Sequence, residues 1–337
     1  MILKSSSGGF NNRKEVPTIL KPIVIAVVGP TASGKTSLGV ALAKQLDGEV
    51  ISSDSMQIYE QMDIATAKPT DREMDGVPHH LIGFLPVGQS FSVAQYKTLC
   101  YRCIDDVLSR GKTPILVGGT GLYFDAVLRN TSFFEDANTD AREVLSQQYD
   151  KEGGEAMLAR LRQIDPDVAE KLHAKDKKRI LRALEVYAST GKTLTEQNEL
   201  SHAGDVPYRF CIIGLCAEDR AFLYGRINRR VDLMVQDGLL DEAKRFCSFS
   251  GAATARQAIG YKELKPYFDG ELPLEAALEN LKMETRRYAK RQLTWFRRYK
   301  SIHWLQIDRL SAQELLRESL SFIQKETGIC PAEGGCT

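Results

Sequence analysis

The feature that most constrains this chain is a glycine-rich octapeptide. Gly29-Pro30-Thr31-Ala32-Ser33-Gly34-Lys35-Thr36 fills the pattern GxxxxGK[ST] completely. It also stands in the required context, after a buried strand and before a helix. The apolar residues from Ile23 to Val28 precede it. A continuous run of that kind reads as a strand covered on both faces, as in a parallel sheet. A helical pattern follows from about Lys35 to Leu46, with Leu38, Ala41, Leu42 and Leu46 on one face. The glycines let successive backbone N–H groups turn inward onto phosphate oxygens. Gly29, Thr31, Ala32, Ser33, Gly34, Lys35 and Thr36 are therefore the expected phosphate-binding set. Lys35 adds a point charge, the helix N-terminus adds about half a charge, and the Thr36 hydroxyl is a candidate ligand for Mg²⁺. The motif specifies binding of a di- or triphosphate; it does not specify hydrolysis of ATP.

The pattern downstream sets the fold class. Glu49 to Ser53 reads as a second strand. Ser92 caps a helix whose apolar residues Val93, Tyr96, Leu99, Cys100, Cys103, Ile104, Val107 and Leu108 recur at helical spacing. Gly111 ends it, and Ile115-Leu116-Val117 is a further buried strand running into Gly118-Gly119. This order predicts an α/β fold, a P-loop NTPase-like doubly wound parallel sheet, with ligands at the carboxyl ends of its strands. The 337 residues suffice for two units or for one domain with a large insertion. From about Thr131 only helical periodicity and charge remain, so residues 131–207 are expected to form a helical insertion domain. The core then comprises 21–130 and 208–327. Its second part holds a strand at Phe210 to Leu215, helices at about 219–236, 240–248 and 273–299, a last strand at His303 to Ile307, and an amphipathic helix over 311–326. Residues 1–20 read as a flexible leader and 328–337 as a loose tail.

Composition excludes several classes. With 45 Lys plus Arg against 44 Asp plus Glu, the net charge is +1, which exerts no general pull on polyanions. A nucleic acid would have to meet a local patch, and two exist. Residues 171–182 hold six Lys/Arg against one Asp, and residues 282–300 hold eight Lys/Arg against one Glu, interleaved with Tyr288, Trp295, Phe296 and Tyr299. Such runs are often solvated helix faces, but two of them in a nearly neutral chain favour a nucleic-acid partner, with aromatics free to stack on bases or on the core. No stretch approaches the ~20 apolar residues that span a bilayer. The seven cysteines are scattered, and Cys100 and Cys103 fall within the apolar helical pattern. A reduced, cytoplasmic protein without a membrane partner is expected. His79-His80 lacks further ligands at metal spacing and reads as a polar turn or pocket wall.

Asp54 follows the second strand, which is expected beside the P-loop, so its carboxylate should look into the phosphate site. The strand at 115–117 ends in Gly118-Gly119-Thr120-Gly121 and has no Walker-B aspartate. That argues against an RNA-binding P-loop ATPase. It points instead to a second close backbone approach to a ligand, with Thr120 directed at it.

The combination GPTASGKT, DSMQIYEQMDIATAKP, PHHL, VGGTGLY, KKRILRALEVY, RINRRVDLM, RQAIGYKE and TRRYAKRQLTWFR, in this order, resembles the tRNA dimethylallyltransferases, also called tRNA isopentenyltransferases. The resemblance covers about residues 23–305. It implies transfer of a dimethylallyl group from dimethylallyl diphosphate to the exocyclic N6 amine of the tRNA adenosine just 3′ of the anticodon. It further implies roles for particular residues. Asp54 resembles the general base, and Asp54, Ser55, Met56 and Gln57 a segment touching the tRNA. Thr120 and Arg142 resemble further tRNA contacts, Thr120 being also counted in the catalytic set. Lys178, Arg179 and Arg182 resemble others, as do Arg256, Gly260, Tyr261 and Lys262. Arg230 resembles a diphosphate-binding arginine, and Arg226, one helical turn earlier, is the alternative. Met56, Gln61 and Ala65 depart from the residue types common in the family. The expected partners are the tRNA anticodon stem-loop and dimethylallyl diphosphate, with Mg²⁺ as cofactor and a monomer as the acting unit. Rival readings are an adenylate isopentenyltransferase using a free nucleotide, against which the tRNA-contact segments speak, and a P-loop small-molecule kinase, whose lid arginines are missing.

Overall fold

The computed structural model describes residues 21–131, 139–201, 205–247, 255 and 258–331. The expected leader, most of the expected tail and Arg256 lie outside these residues. The described residues form six strands: β1 (Ile23–Val28), β2 (Gly48–Ser53), β3 (His79–His80), β4 (Thr113–Gly118), β5 (Arg209–Cys216) and β6 (His303–Gln306). They form one sheet in the order β3-β2-β4-β1-β5-β6, with every pairing parallel.

β1 lies between β4 and β5, with Ile25 opposite Ile115 on one side and Cys211 on the other. It is covered on both faces, which explains its unbroken apolar sequence. Ile25 and Val27 point to one side and pack with Leu38 and Leu42 of α1 (Lys35–Gln45) and Ile323 of the last helix (Ala312–Thr327). Val24, Ala26 and Val28 point to the other side. There they meet Tyr96 and Ile104 of the helix Val93–Ser109 and Phe124 of the helix Gly121–Leu128. The period-two alternation of the strand thus divides one apolar run between two cores.

Between α1 and those helices a single capped turn, α2 (Asp71–Met74), leads to β3. The two helices over the second face are α3 (Val93–Ser109) and α4 (Gly121–Leu128). The Ser92 hydroxyl caps α3 through a reciprocal box with Gln95, as the sequence indicates. Next come α5 (Thr139–Glu152), α6 (Gly154–Ile164), α7 (Pro166–Ala169), α8 (Lys177–Thr190) and α9 (Leu194–Ser201). They close round a core of their own that includes Leu145, Met157, Leu161, Ile180, Leu181 and Leu184. The chain leaves and re-enters the sheet domain at one place, where Asn130 Nδ2 donates to the Asp205 carbonyl at 2.8 Å. After β5 come α10 (Arg220–Gln236), α11 (Leu239–Cys247), α12 (Tyr261–Phe268) and α13 (Leu274–Phe296), and after β6 the closing α14 (Ala312–Thr327). α10 to α13 share a third core with Ile58, Tyr59 and Met62 from the segment after β2. Among the described residues no helix is long and apolar enough to cross a membrane.

Two sequence expectations are corrected. His79-His80 is not a turn or a pocket wall but a short edge strand, its residues opposite Val50 and Ile51. Two residues are too few to show a period, and the pairing is secured by tertiary contacts: His80 Nε2 lies 2.7 Å from Glu49 Oε2. The second correction concerns Asp54. Its strand, β2, is not beside β1, because β4 is inserted between them.

Glu49 is a buried carboxylate at the opposite end of β2 from the strand's carboxyl terminus. It bonds the Arg110 guanidinium through both oxygens and also His80. The Arg110 hydrogen bonds, aided by His80, outweigh burial and hold its carboxyl down at about 2, below the ordinary 4.5. A carboxyl depressed on folding contributes stability that is present above its unfolded value and lost as pH falls through the folded one. Glu49→Gln should lower the unfolding free energy at neutral pH by about 1–3 kcal/mol. It should also flatten the loss of stability between about pH 4.5 and pH 2. Urea melts of both proteins across that range check this; parallel acid limbs would refute it.

Candidate active site

A cavity of about 310 Å³ opens at the carboxyl ends of β1, β2 and β4. Each strand end delivers one part of it. β1 runs into the loop 29–36, which turns into α1 at Gly34, whose φ of 92° is open to glycine at little cost. Gly34 has no side chain with which to cap α1, so the first-turn amides of the helix stay available to an anion. Lys35 and Thr36 line the cavity from that first turn, and Thr31 from the loop before it. The buried Ser33 hydroxyl in the same loop lacks a hydrogen-bond partner among the described residues.

β2 delivers Asp54. Its Oδ1 accepts the backbone N–H groups of Met56 at 2.9 Å and Gln57 at 3.3 Å. This local turn fixes the carboxylate and leaves Oδ2 for the cavity. Gln57 is held in turn, its amide donating to the carbonyls of Thr66 at 3.2 Å and Ala67 at 3.0 Å. The returning segment 63–65 hangs by three backbone N–H groups, within 2.8–2.9 Å, on the buried carboxylate of Glu242. Asp54 to Gln57 and Ala65 to Ala67 together make one wall.

β4 separates these two groups, and its glycines are what let them meet. A Cβ on Gly118 would lie 2.2 Å from the Ser53 carbonyl oxygen, and one on Gly119 would lie 2.1 Å from the Gln292 amide nitrogen. Both are closer than real Cβ atoms approach, so the Gly-Gly that stands where a Walker-B acid would be required is a packing requirement. Thr120 follows as the N-cap of α4, and its hydroxyl accepts the Ser55 N–H at 3.0 Å. It therefore holds the Asp54 segment in place and is not itself part of the cavity lining.

α10 and α13 close the space. Arg230 of α10 lines the cavity and reaches the Thr31 hydroxyl at 3.4 Å. Arg226 braces the loop from outside, its Nε donating to the Ala32 carbonyl at 2.7 Å while its guanidinium lies over the Phe222 ring. Of the two arginines proposed from sequence, Arg230 is thus the one that faces the cavity. Burial lowers the pKa of Arg230. Burial and the Arg230 charge together pull Lys35 down to about 7, against a smaller opposing pull from Asp54. Lys35 and Arg230 share a poorly solvated space whose lining also carries Lys262, Arg291 and the single carboxylate Asp54, with Glu73 acting on Arg230 from outside the lining, and a polyanion would relieve this excess of positive charge. Ile227, Val231, Met234, Leu239 and Leu281 make the remaining wall apolar.

The other sequence candidates divide. Gly260 and Lys262 reach the cavity, at the start of α12. Tyr261 between them is turned away, its ring buried against Phe246 and its hydroxyl donating to Glu242 at 2.9 Å. Arg142 on α5 and Lys178, Arg179 and Arg182 on α8 are exposed and do not line the cavity. Sequence reasoning missed the residues that α13 contributes: Leu281, Thr285, Tyr288, Arg291 and Gln292. Their spacing of three and four is a helical stripe, legible in principle, but the charges of the run 282–300 concealed it. Apart from Tyr288, the aromatics of that run pack against the protein. Phe296 is buried in the core, and the Trp295 indole donates to Asp125 at 3.0 Å.

The donors that the site offers to Mg²⁺ are oxygens. Among the described residues no three His, Cys, Asp or Glu side chains gather as a metal cage. The Thr36 hydroxyl and the Asp54 carboxylate face the same cavity. One or two protein oxygens completed by phosphate oxygens and water are what this hard cation takes, so the residues fit.

A family model described as IPP transferase matches residues 57–299. A tRNA dimethylallyltransferase of Acetivibrio thermocellus is 42% identical over 309 residues, covering 91% of this chain and 98% of its own length. Another from Bacillus subtilis is 46% identical over 313 residues, covering 92% and 97%. Among solved structures, the tRNA isopentenylpyrophosphate transferase of Bacillus halodurans is similar with a TM-score of 0.68 and 44% identity, over 91% of this chain and 96% of that one. A eukaryotic dimethylallyltransferase crystallised acting on tRNA is similar with a TM-score of 0.75 and 28% identity, over 93% and 81%.

The Lys35 environment makes a pH prediction. With its pKa near 7 in the free protein, the ammonium loses its proton as pH rises through that value, and a bound polyanion would restore it. Binding of inorganic diphosphate at about pH 8 should therefore take up protons through Lys35. Calorimetry in buffers of different ionisation enthalpy reads the uptake. It should be smaller in Lys35→Arg, whose charge is permanent; equal uptake by both proteins would refute the assignment.

Proposed function

The chain belongs to the IPP transferase family, and from that premise we propose that it transfers a dimethylallyl group from dimethylallyl diphosphate to the exocyclic N6 amine of the tRNA adenosine just 3′ of the anticodon. The observation that carries this reading is the sharing of one cavity by a carboxylate, Asp54, a phosphate-binding loop with Lys35 and Thr36, a half-buried Arg230, and an apolar wall. Diphosphate, prenyl chain and nucleophile each find their chemistry there.

The adenine amine is a weak nucleophile because its lone pair is delocalised into the ring. Asp54 Oδ2 accepts the amine proton as nitrogen bonds to the allylic carbon, while Oδ1 stays on its two backbone donors. The bond from that carbon to oxygen breaks, and diphosphate leaves with its electron pair. Lys35, Arg230 and the amides opening α1 oppose the charge that gathers on the leaving group. Mg²⁺, held by Thr36 and phosphate oxygens, would add further charge there. The apolar residues of α10 and α13 keep water from the allylic carbon, which water would otherwise capture.

A stacked adenosine cannot reach the cavity, so the base must be turned out of the anticodon loop at a cost of a few kcal/mol. Ser55, Met56, Gln57, Gly260 and Lys262 form the rim and wall it would meet. Arg142, Lys178, Arg179 and Arg182 are the candidate grips on the RNA backbone, with the exposed cations of α13 as a second group. The acting unit is one chain, since every group invoked belongs to it. Its substrate makes it a cytoplasmic enzyme.

Incubation with labelled dimethylallyl diphosphate and either unmodified tRNA or AMP tests the reading. Label should enter tRNA; label in AMP alone would make the protein an adenylate isopentenyltransferase. Asp54→Ala should lower the single-turnover rate by about 10²–10⁴-fold with little change in tRNA affinity. A rate within about threefold of the parent would remove Asp54 from the role of base. Substituting Lys178, Arg179 and Arg182 together by Ala should weaken tRNA binding and flatten its salt dependence by roughly one unit of slope per lost phosphate contact. Unchanged affinity and slope would leave these residues as a solvated face.

A further inference from the structure

We infer that Gln292 is a positioning residue of the transfer site, a hydrogen-bonded bridge that holds the phosphate-binding loop against the end of β4. The inference rests on the transfer reading and deepens it by naming what keeps the two halves of the site in register. Gln292 lies on α13, and its side chain is buried, with 5% of the residue exposed. Its Oε1 accepts the Thr31 N–H at 2.8 Å, and its Nε2 donates to the Gly119 carbonyl at 3.0 Å. The first partner belongs to the loop after β1 and the second to the turn after β4. One amide therefore ties together two loops that the sheet alone leaves at separate strand ends.

The bridge continues toward Asp54. Tyr288, one helical turn before Gln292, lines the same cavity, and its phenol interacts with Thr120 and Gln292. Thr120 holds Ser55 through its hydroxyl, and its own N–H donates to the Ser53 carbonyl at 3.1 Å. Gln292 and Tyr288 thus stand on one face of α13, between the Thr31 loop and the Thr120 turn that holds the segment carrying Asp54.

An amide is the group this position needs. Thr31 presents a donor and Gly119 an acceptor, on opposite sides of one side chain. A carboxamide holds a donor and an acceptor at a fixed separation, stays neutral at all working pH values and so serves both. A carboxylate could serve Thr31 but would face the Gly119 carbonyl oxygen with a second oxygen. A methionine of similar volume would serve neither. Gly119 is bare for the same reason, since a Cβ there would strike the Gln292 amide nitrogen. With the bridge intact, the Thr31 backbone is set and the neighbouring amides of the phosphate loop keep their direction. Without it, the loop would lose a hydrogen bond that fixes it, and the diphosphate would be held in a wider range of positions.

The test uses Gln292→Met, Gln292→Ala and Gly119→Ala in the full chain, with thermal melts to establish folding. Gln292→Met should weaken binding of inorganic diphosphate and raise KM for dimethylallyl diphosphate, each by about tenfold, while KM for tRNA stays within about twofold. Gly119→Ala, which displaces the same amide from the other side, should reproduce this pattern. The Gly119→Ala/Gln292→Ala double variant should lose less than the product of the two single effects, because both remove one bridge. Diphosphate affinity unchanged in Gln292→Met would overturn the inference. So would equal losses for donor and tRNA, or multiplicative effects in the double variant. Failure of the parent to transfer the prenyl group would sink the transfer reading alone, since the diphosphate titrations do not depend on it.

Discussion

Lys35 and Asp54 act on one another across a strand that separates them, and the close approach of three strand ends makes this possible. The attraction is visible in Lys35, where Asp54 partly offsets the lowering caused by burial and Arg230. β4 stands between the two residues. Any side chain at Gly118 would push the Ser53 end of β2 away, and one at Gly119 would expel the Gln292 amide. The absence of side chains at the end of β4 is therefore the constraint on which the cavity depends. It also accounts for the missing Walker-B acid in steric terms.

The site is electrostatically unfinished by itself. Lys35 and Arg230 are both drawn from water, and the cavity lining, which also carries Lys262 and Arg291, holds one carboxylate, Asp54. This costs the ligand-free fold stability, since a group charged freely in the unfolded chain must be held neutral or unfavourably charged in the folded one. A diphosphate reverses that balance, so the excess of positive charge selects a polyanion over a neutral ligand. Glu49 shows the contrary case at the other end of β2. There a buried carboxylate meets Arg110 and His80, and β2 gains stability from charge at that end.

The supports of the cavity are less conspicuous than its charges. Glu242 gathers three backbone N–H groups and the Tyr261 hydroxyl, and so fixes the returning loop that forms the wall beside Gln57. Tyr261, taken from sequence as a candidate RNA contact, has its ring buried in that support. The aromatics of α13 behave alike. Trp295 of α13 and Tyr299, just beyond its end, both bond Asp125, which fixes the helix against α4 and turns Leu281, Thr285, Tyr288 and Gln292 toward the cavity. The exposed cations of the helix, such as Arg287, remain on its outer side.

The sequence by itself determined the parallel α/β core and the phosphate loop. A six-residue apolar strand followed by GxxxxGKT has few other ways to fold, because its periodicity and its turn chemistry are local. Capping at Ser92, the strands at 115–117 and 210–215, and the helical character of 140–200 were legible for the same reason. The position of Asp54 at a strand end was legible too, but its neighbour was not, since strand order depends on which faces the crossover helices cover and not on chain order. The edge strand at His79-His80 was hidden because it exists through pairing with β2. Only the tertiary structure separated Arg230, inside the cavity, from Arg226, outside it. They are one helical turn apart, and what distinguishes them is which backbone each meets across the gap to the P-loop. Gln292 was decided in the same way: its two partners lie 261 and 173 residues away along the chain, and no local pattern can show that one amide joins them.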